Sequence, residues 1–265
     1  MKACILGAGV VGGFGCGRAA LEAVIRNRFA AEAPAVPALP AQTDLLDRFV
    51  PPRTLRRVDH YARMALLASC LALEDAGMDD GLPENTGLIV ATGMGPTANT
   101  LDLQPADVDA TDLALSPILF SNSVQNAAAA YISMLLKIRG PCLSINQYEM
   151  SVPLAFQTAI DWLEEGRTST VLVGGVDCFS KALHDASLSR REPGNAGPIQ
   201  GVTQVGEGSA FFILTRSDAA GARYPFVHEV HMGTAMRSEG PPVPTTLILH
   251  NSWKTGILDH ASVHV

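Results

Sequence analysis

The stretch FSNSVQNAAAAYISMLLKIRGPCLSINQYEMSVPLAFQTAIDWLEEG, residues 120–166, decides the fold. With Ser116-Pro117 ahead of it, its first part predicts one helix over 116–139 with small residues along much of its surface. Gly140-Pro141 marks a turn. LSINQY (143–148) then reads as a strand, and 149–166 as a helix closed by Gly166.

The same alternation continues outward. Upstream, TLRRVDHYARMALLASCLALEDAG (54–77) predicts a long helix: Val58, Tyr61, Ala65, Ala68, Leu71 and Ala72 recur at helical spacing, and Gly77 stands where a C-terminal stop belongs. TGLIVATGMG (86–95) is a buried strand running into a glycine turn. Downstream, STVLVGGVDC (169–178) and GEGSAFFILTR (206–216) are two more strands. KACILGA (2–8) is a short buried strand ending in glycines, and PAVPALPAQ is a surface loop. Strands alternating with helices predict an α/β fold, layered helices on a mostly parallel mixed sheet. Residues 1–216 form the expected domain, and 217–265 an extension packed on it.

Bulk properties narrow the function classes. The chain has 265 residues, 47% of them hydrophobic and 17% charged, with a net charge of −7. That balance disfavours nucleic-acid or anionic-lipid partners. No apolar run approaches the roughly 20 residues of a membrane span. The apolar amino terminus could pass for a signal peptide, but its glycines favour a buried first strand, so a cytoplasmic protein is expected. Cys4, Cys16, Cys70, Cys142 and Cys178 contain no CxxC pair, so neither a metal site nor a disulfide framework is expected.

Gly7-Ala-Gly9-Val-Val-Gly12 is a literal G-x-G-x-x-G after a strand. In a dinucleotide fold such glycines admit the pyrophosphate at a helix N-terminus. The acid expected about 20 residues on falls near Glu32, within AAEAPAVPALP, whose prolines exclude a central strand. A glycine turn after the strand accounts for the same residues, and no cofactor is expected.

Four blocks in order resemble the β-ketoacyl synthases of the thiolase-like superfamily: ILGAGVVGGFGCG (5–17), RRVDHYARMALLASCLALEDAG (56–77), the 120–166 stretch, and VLVGGVDCFS (171–180) with GEGSAFFIL (206–214). The resemblance implies a thiolase-like half in which residues 120–166 hold an interface helix, a strand and the nucleophile elbow. Counting from Gly140-Pro141, the family's nucleophilic cysteine falls on Glu149. A carboxylate is favoured at a helix start but cannot form the acyl thioester. Cys142 lies seven residues too early and is expected to be a small buried hydrophobe on the turn. The family's two histidine motifs have no match here: His250, His260 and His264 stand in unrelated surroundings.

Taken together, the resemblance implies a non-catalytic, chain-length-factor-like subunit, similar to the short ketosynthase-like proteins of aryl-polyene-type clusters. Its expected partners are an active ketosynthase subunit, as a heterodimer, and acyl carrier protein through that complex. Phe120, Val124 and Ala128 at i, i+4 and i+8, with Gln125 beside them, are the candidates for lining the partner's acyl tunnel. An ordinary core-facing stripe would look the same. Asn122 and Asn126, one turn apart, would either satisfy backbone groups across an interface or cap and solvate the helix. An enzyme using a buried Glu149 as general base on acyl thioesters is the alternative. A dinucleotide-binding domain built on Gly7, Gly9 and Gly12 is a further one.

Overall fold

The computed structural model describes residues 3–28, 40–102, 117–181 and 206–216, with Tyr224, Phe226–Val227, Val230 and four short strands beyond. His250, His260, His264, Glu32 and most of the proline-rich loop lie outside the described residues.

The elements follow the apolar patterning. Strand β1 (Ala3–Gly12) is followed by β2 (Gly15–Cys16), helix α1 (Gly17–Arg28) and, after two 3-10 turns, helix α2 (His60–Ala76). Strand β3 (Thr86–Thr92), helices α3 (Thr97–Asp102), α4 (Pro117–Ser123) and α5 (Ala127–Leu135), and strand β4 (Cys142–Asn146) come next. Helix α6 (Ser151–Glu164) and strands β5 (Thr170–Asp177), β6 (Gly208–Arg216) and β7 (Phe226–Val227) complete the body. Two further strand pairs join Gly233–Ala235 to Val243–Thr245 and Leu247–Leu249 to Ala261–Val263.

The main sheet has seven strands in the order β2-β1-β6-β5-β3-β4, with β7 also on β1. Parallel pairing, expected through most of the sheet, is confined to β4–β3–β5. The β5–β6, β6–β1, β1–β2 and β1–β7 pairs are antiparallel. Successive strands β5 and β6 pair directly, and an antiparallel neighbour needs no crossover helix.

Alternate side chains separate the two cores. Leu88 and Val90 of β3 join α2 and α5 in one cluster, while Ile89 and Ala91 join α6 in the other. Helix α2 is buried almost all round, wider than the single stripe its spacing predicts, because β1 and β6 cover one side and α5 the other. Its ends are as expected: Asp59 accepts the Ala62 N–H, and Gly77 closes the helix at φ 67°.

Three expectations about glycines and helices change. Strand β1 runs to Gly12, so Gly7 and Gly9 lie inside it and form no turn. A Cβ on Gly7 would stand 2.3 Å from the Ala72 carbonyl oxygen, and one on Gly9 2.0 Å from that of Ala68. These glycines let α2 ride directly on the strand, which removes the dinucleotide reading. The helix expected over 116–139 is two helices, broken at 124–126 and ending at Leu135. Ser121 and Ser123 hydroxyls donate to the Ile118 and Phe120 carbonyls, and such local bonds compete with helix continuation. Helix α1 was not legible in the Ala-rich segment that contains it.

Of the 217–265 segment, Val227 and Val230 enter the α6-side core, and the Tyr224 hydroxyl donates to Asp75.

Candidate functional site

Parallel strands β3, β4 and β5 bring their C-terminal ends to one edge of the sheet, where open α/β folds bind ligands. Each end carries part of a hydrogen-bonded scaffold. Asp177, closing β5, accepts from the Thr92 hydroxyl at 2.8 Å and from the Gly93 and Met94 N–H groups at 3.0 Å. Thr92 Oγ1 in turn accepts the Gly95 N–H at 2.7 Å, fixing the turn after β3.

The 3-10 turn expected to be the elbow follows β4. Tyr148 has φ 49°, a left-handed conformation that costs a non-glycine residue of order 1–3 kcal/mol. Buried Ser151 holds it there. Its hydroxyl accepts the Gln147 N–H at 2.8 Å and lies 2.8 Å from the Thr92 carbonyl oxygen and 2.7 Å from that of Tyr148, so its one proton serves either. Glu149 stands in the 3-10 turn Tyr148–Met150, immediately before α6 and not within its first turn. Its carboxylate is exposed and has no hydrogen-bond or ion-pair partner among the described residues. Among the described residues, then, Glu149 does not stand in a buried pocket.

Exposed apolar residues flank all three strand ends: Met94 after β3, Tyr148 (64% exposed) after β4, and Phe179 after β5, with Val152 at the start of α6. At β4, the outermost strand among the described residues, Leu143 is exposed as well, as is Met134 of α5. Cys142, expected to be buried on the turn, instead opens β4 and is exposed, since among the described residues β4 pairs only with β3. All five cysteines are free thiols.

The tunnel-lining candidates part company. Phe120 is 59% exposed and Val124, Gln125 and Asn126 are exposed, whereas Ala128 is fully buried in the α2-side core. The helix break rotates Ala128 away from Phe120, so the three do not share one face. Gln125 lies over the turn after β3: a Cβ on Gly95 would meet its Oε1 at 1.9 Å. Asn126 precedes α5 without a side-chain cap bond. Asn122 is buried, and its amide donates to the Arg57 carbonyl within the same chain at 3.0 Å.

A second scaffold, absent from the sequence reading, centres on Glu207. Its carboxylate, 5% exposed, accepts the Ala41 N–H at 2.7 Å and the Phe179 N–H at 3.1 Å, and meets His60 Nε2 at 2.8 Å. Burial works to raise its pKa, but the His60 hydrogen bond and the two backbone N–H groups outweigh it and hold the group below its ordinary value. At the N-terminus of α2, burial pushes the Asp59 carboxyl up, against hydrogen bonds from Ala62 and Asn99. Sequence signals for these residues existed only as position: Asp177 ends an apolar strand, Glu207 opens one, and Ser151 follows Glu149 by two.

Among the described residues, no helix is long and apolar enough to cross a membrane. The family model for the β-ketoacyl synthase N-terminal domain matches residues 26–220. A putative polyketide β-ketoacyl synthase 1 of Streptomyces virginiae is 25% identical over 73% of this chain and 50% of its own length. Nodulation protein E of Rhizobium meliloti is 26% identical over 68% of this chain and 46% of its own. The chain thus spans about half the length of these curated relatives. Among solved structures, the ishigamide ketosynthase/chain length factor superposes with a TM-score of 0.67 at 24% identity, covering 86% of this chain and 65% of that one. The ketosynthase ApeO in complex with its chain length factor ApeC, from Xenorhabdus doucetiae, gives 0.62 at 13% identity, covering 94% and 95%. The fold is thiolase-like, and by the match over most of its length the chain belongs to the β-ketoacyl synthase family, through that family's N-terminal domain.

Proposed function

We propose that this chain is a non-catalytic, chain-length-factor-like subunit that pairs with an active ketosynthase during fatty acid, polyketide or polyene chain elongation. The observation that carries the reading is Glu149, an exposed carboxylate where the resemblance puts the nucleophilic cysteine, beside a turn held by the Ser151 hydroxyl. A glutamate there cannot take an acyl group as a thioester. Ser151, Thr92 and Asp177 still hold the surrounding backbone. Keeping the architecture while losing the thiol is what a partner subunit needs.

The end of the sheet supports the pairing. Among the described residues β4 is the outermost strand, and its exposed Leu143, beside an exposed Met134, invites a second protein. Phe120 and Val124, both exposed, are the side chains this reading assigns to the partner's acyl tunnel. The chain length factors named among the similar structures agree with it, as does the near-complete mutual coverage with a chain of the ApeO–ApeC complex. Acyl carrier protein would be met through the active partner.

Co-expression with a ketosynthase of the same organism tests the reading. The two should co-purify, and removing this chain or changing Phe120→Ala should alter product length. Failure to co-purify, with product length unaffected, overturns it.

A further inference from the structure

Helix α4 is anchored in an unusual way. It presents Ile118 and Phe120 to solvent, and its one buried side chain is polar: Asn122, 5% exposed. A short helix held by apolar burial can slide or rotate among similar packings, since hydrophobic contact is non-directional. Hydrogen bonds to fixed partners have distance and angle requirements that select one pose.

The partners of Asn122 come from three other elements. Its Nδ2 donates to the Arg57 carbonyl at 3.0 Å, in the turn leading into α2. The Tyr131 hydroxyl of α5 lies 3.0 Å from Asn122 Oδ1 and 2.9 Å from the same Arg57 carbonyl, so its single proton bridges the pair. Asn99 of α3 donates to the Asn122 carbonyl at 3.0 Å and also to Asp59, which caps α2. The helix therefore takes its position from the start of the deeply buried α2, through polar contacts. With α4 broken from α5 at 124–126, no continuous helical backbone transmits that position.

We infer that Asn122 is a positioning residue: with Tyr131 and Asn99 it pins α4 and sets how Ile118 and Phe120 project, and so sets the product length that the subunit specifies. The specificity part rests on the function proposed above. Leucine at 122 keeps the branching at Cγ, though its methyls are bulkier, and removes both side-chain bonds, leaving the Arg57 carbonyl short of one donor. Phenylalanine at 131 removes only the bridging hydroxyl.

The test has two arms. In the isolated chain, hydrogen exchange of amides 118–123 should speed up at least about tenfold in Asn122→Leu, and less in Tyr131→Phe, while β3 and β5 amides stay unchanged. Unaltered exchange in α4 overturns the pin, whatever any partner does. In the complex with the co-purified ketosynthase and its carrier protein, Asn122→Leu should move the main product by at least one extension unit or broaden its distribution, with co-purification retained. A shift from Phe120→Ala without one from Asn122→Leu overturns this inference and leaves the proposed function standing. No shift from either overturns the tunnel reading and the specificity role together. If Asn122→Leu does not fold, Tyr131→Phe and Asn99→Ala decide the same two arms.

Discussion

Gly9 of β1 and Ala68 of α2 meet backbone to backbone, with room for no side chain between them: a Cβ on Gly9 would fall 2.0 Å from the Ala68 carbonyl oxygen. The helix is therefore seated on the strand itself.

Gly9→Ala should force α2 away from β1. Overpacking of this kind costs about 1–3 kcal/mol or more, since the atom it meets is backbone. Urea denaturation should give a lower midpoint with a near-unchanged slope. Nicotinamide and flavin cofactors should leave the melting temperature of the unmodified chain where it is. Cofactor stabilisation abolished by Gly9→Ala would restore the dinucleotide reading.

Glu207→Gln should expose the carboxylate's role in joining Ala41, His60 and Phe179. The charged hydrogen bonds lost suggest a deficit of roughly 1–3 kcal/mol at neutral pH. The folded pKa lies below the ordinary 4.5, so the unmodified carboxylate adds stability above that value and loses it as pH falls through the folded pKa. The gap between the two proteins should accordingly narrow on acidification. Denaturation curves at neutral pH and well below 4.5 check this, and a gap that widens in acid contradicts it.

Leu143→Lys places a charge on β4, the outermost strand among the described residues, where edge pairing is opposed by charge. Association with the partner ketosynthase, or with a second copy, should weaken by roughly tenfold or more, the equivalent of about 1.4 kcal/mol. Because Leu143 is exposed, the melting temperature of the isolated chain should hardly move. Analytical ultracentrifugation with thermal melts separates the two effects.

Glu149→Cys should restore a thiol at the elbow without restoring condensation. The family's two histidine motifs are not among these 265 residues. The introduced thiol should react with a soluble alkylating agent, since position 149 is exposed, while acyl-carrier substrates should not be elongated by this chain alone. Detectable condensation from the single variant would sink the non-catalytic reading.

Much of this architecture is written in local pattern. The apolar runs of β3, β5 and β6, the burial of β3 along its whole length and the Gly77 stop all follow from residues near one another in the chain. Local pattern fixes which residues an element wants to bury.

What covers each face was decided only in three dimensions. Gly7 and Gly9 read as a turn until α2 is placed on β1. Phe120 and Ala128 read as one stripe until Ser121, Ser123 and the break at 124–126 separate them. Asn122 read either as satisfying backbone groups across an interface or as capping and solvating the helix, yet it is buried within this chain, where Arg57, Tyr131 and Asn99, distant in sequence, converge on it. Spacing expects Glu149 inside a helix, yet it stands exposed in the 3-10 turn before α6. Sheet order and helix seating are non-local, and no window of sequence contains both partners of such a contact.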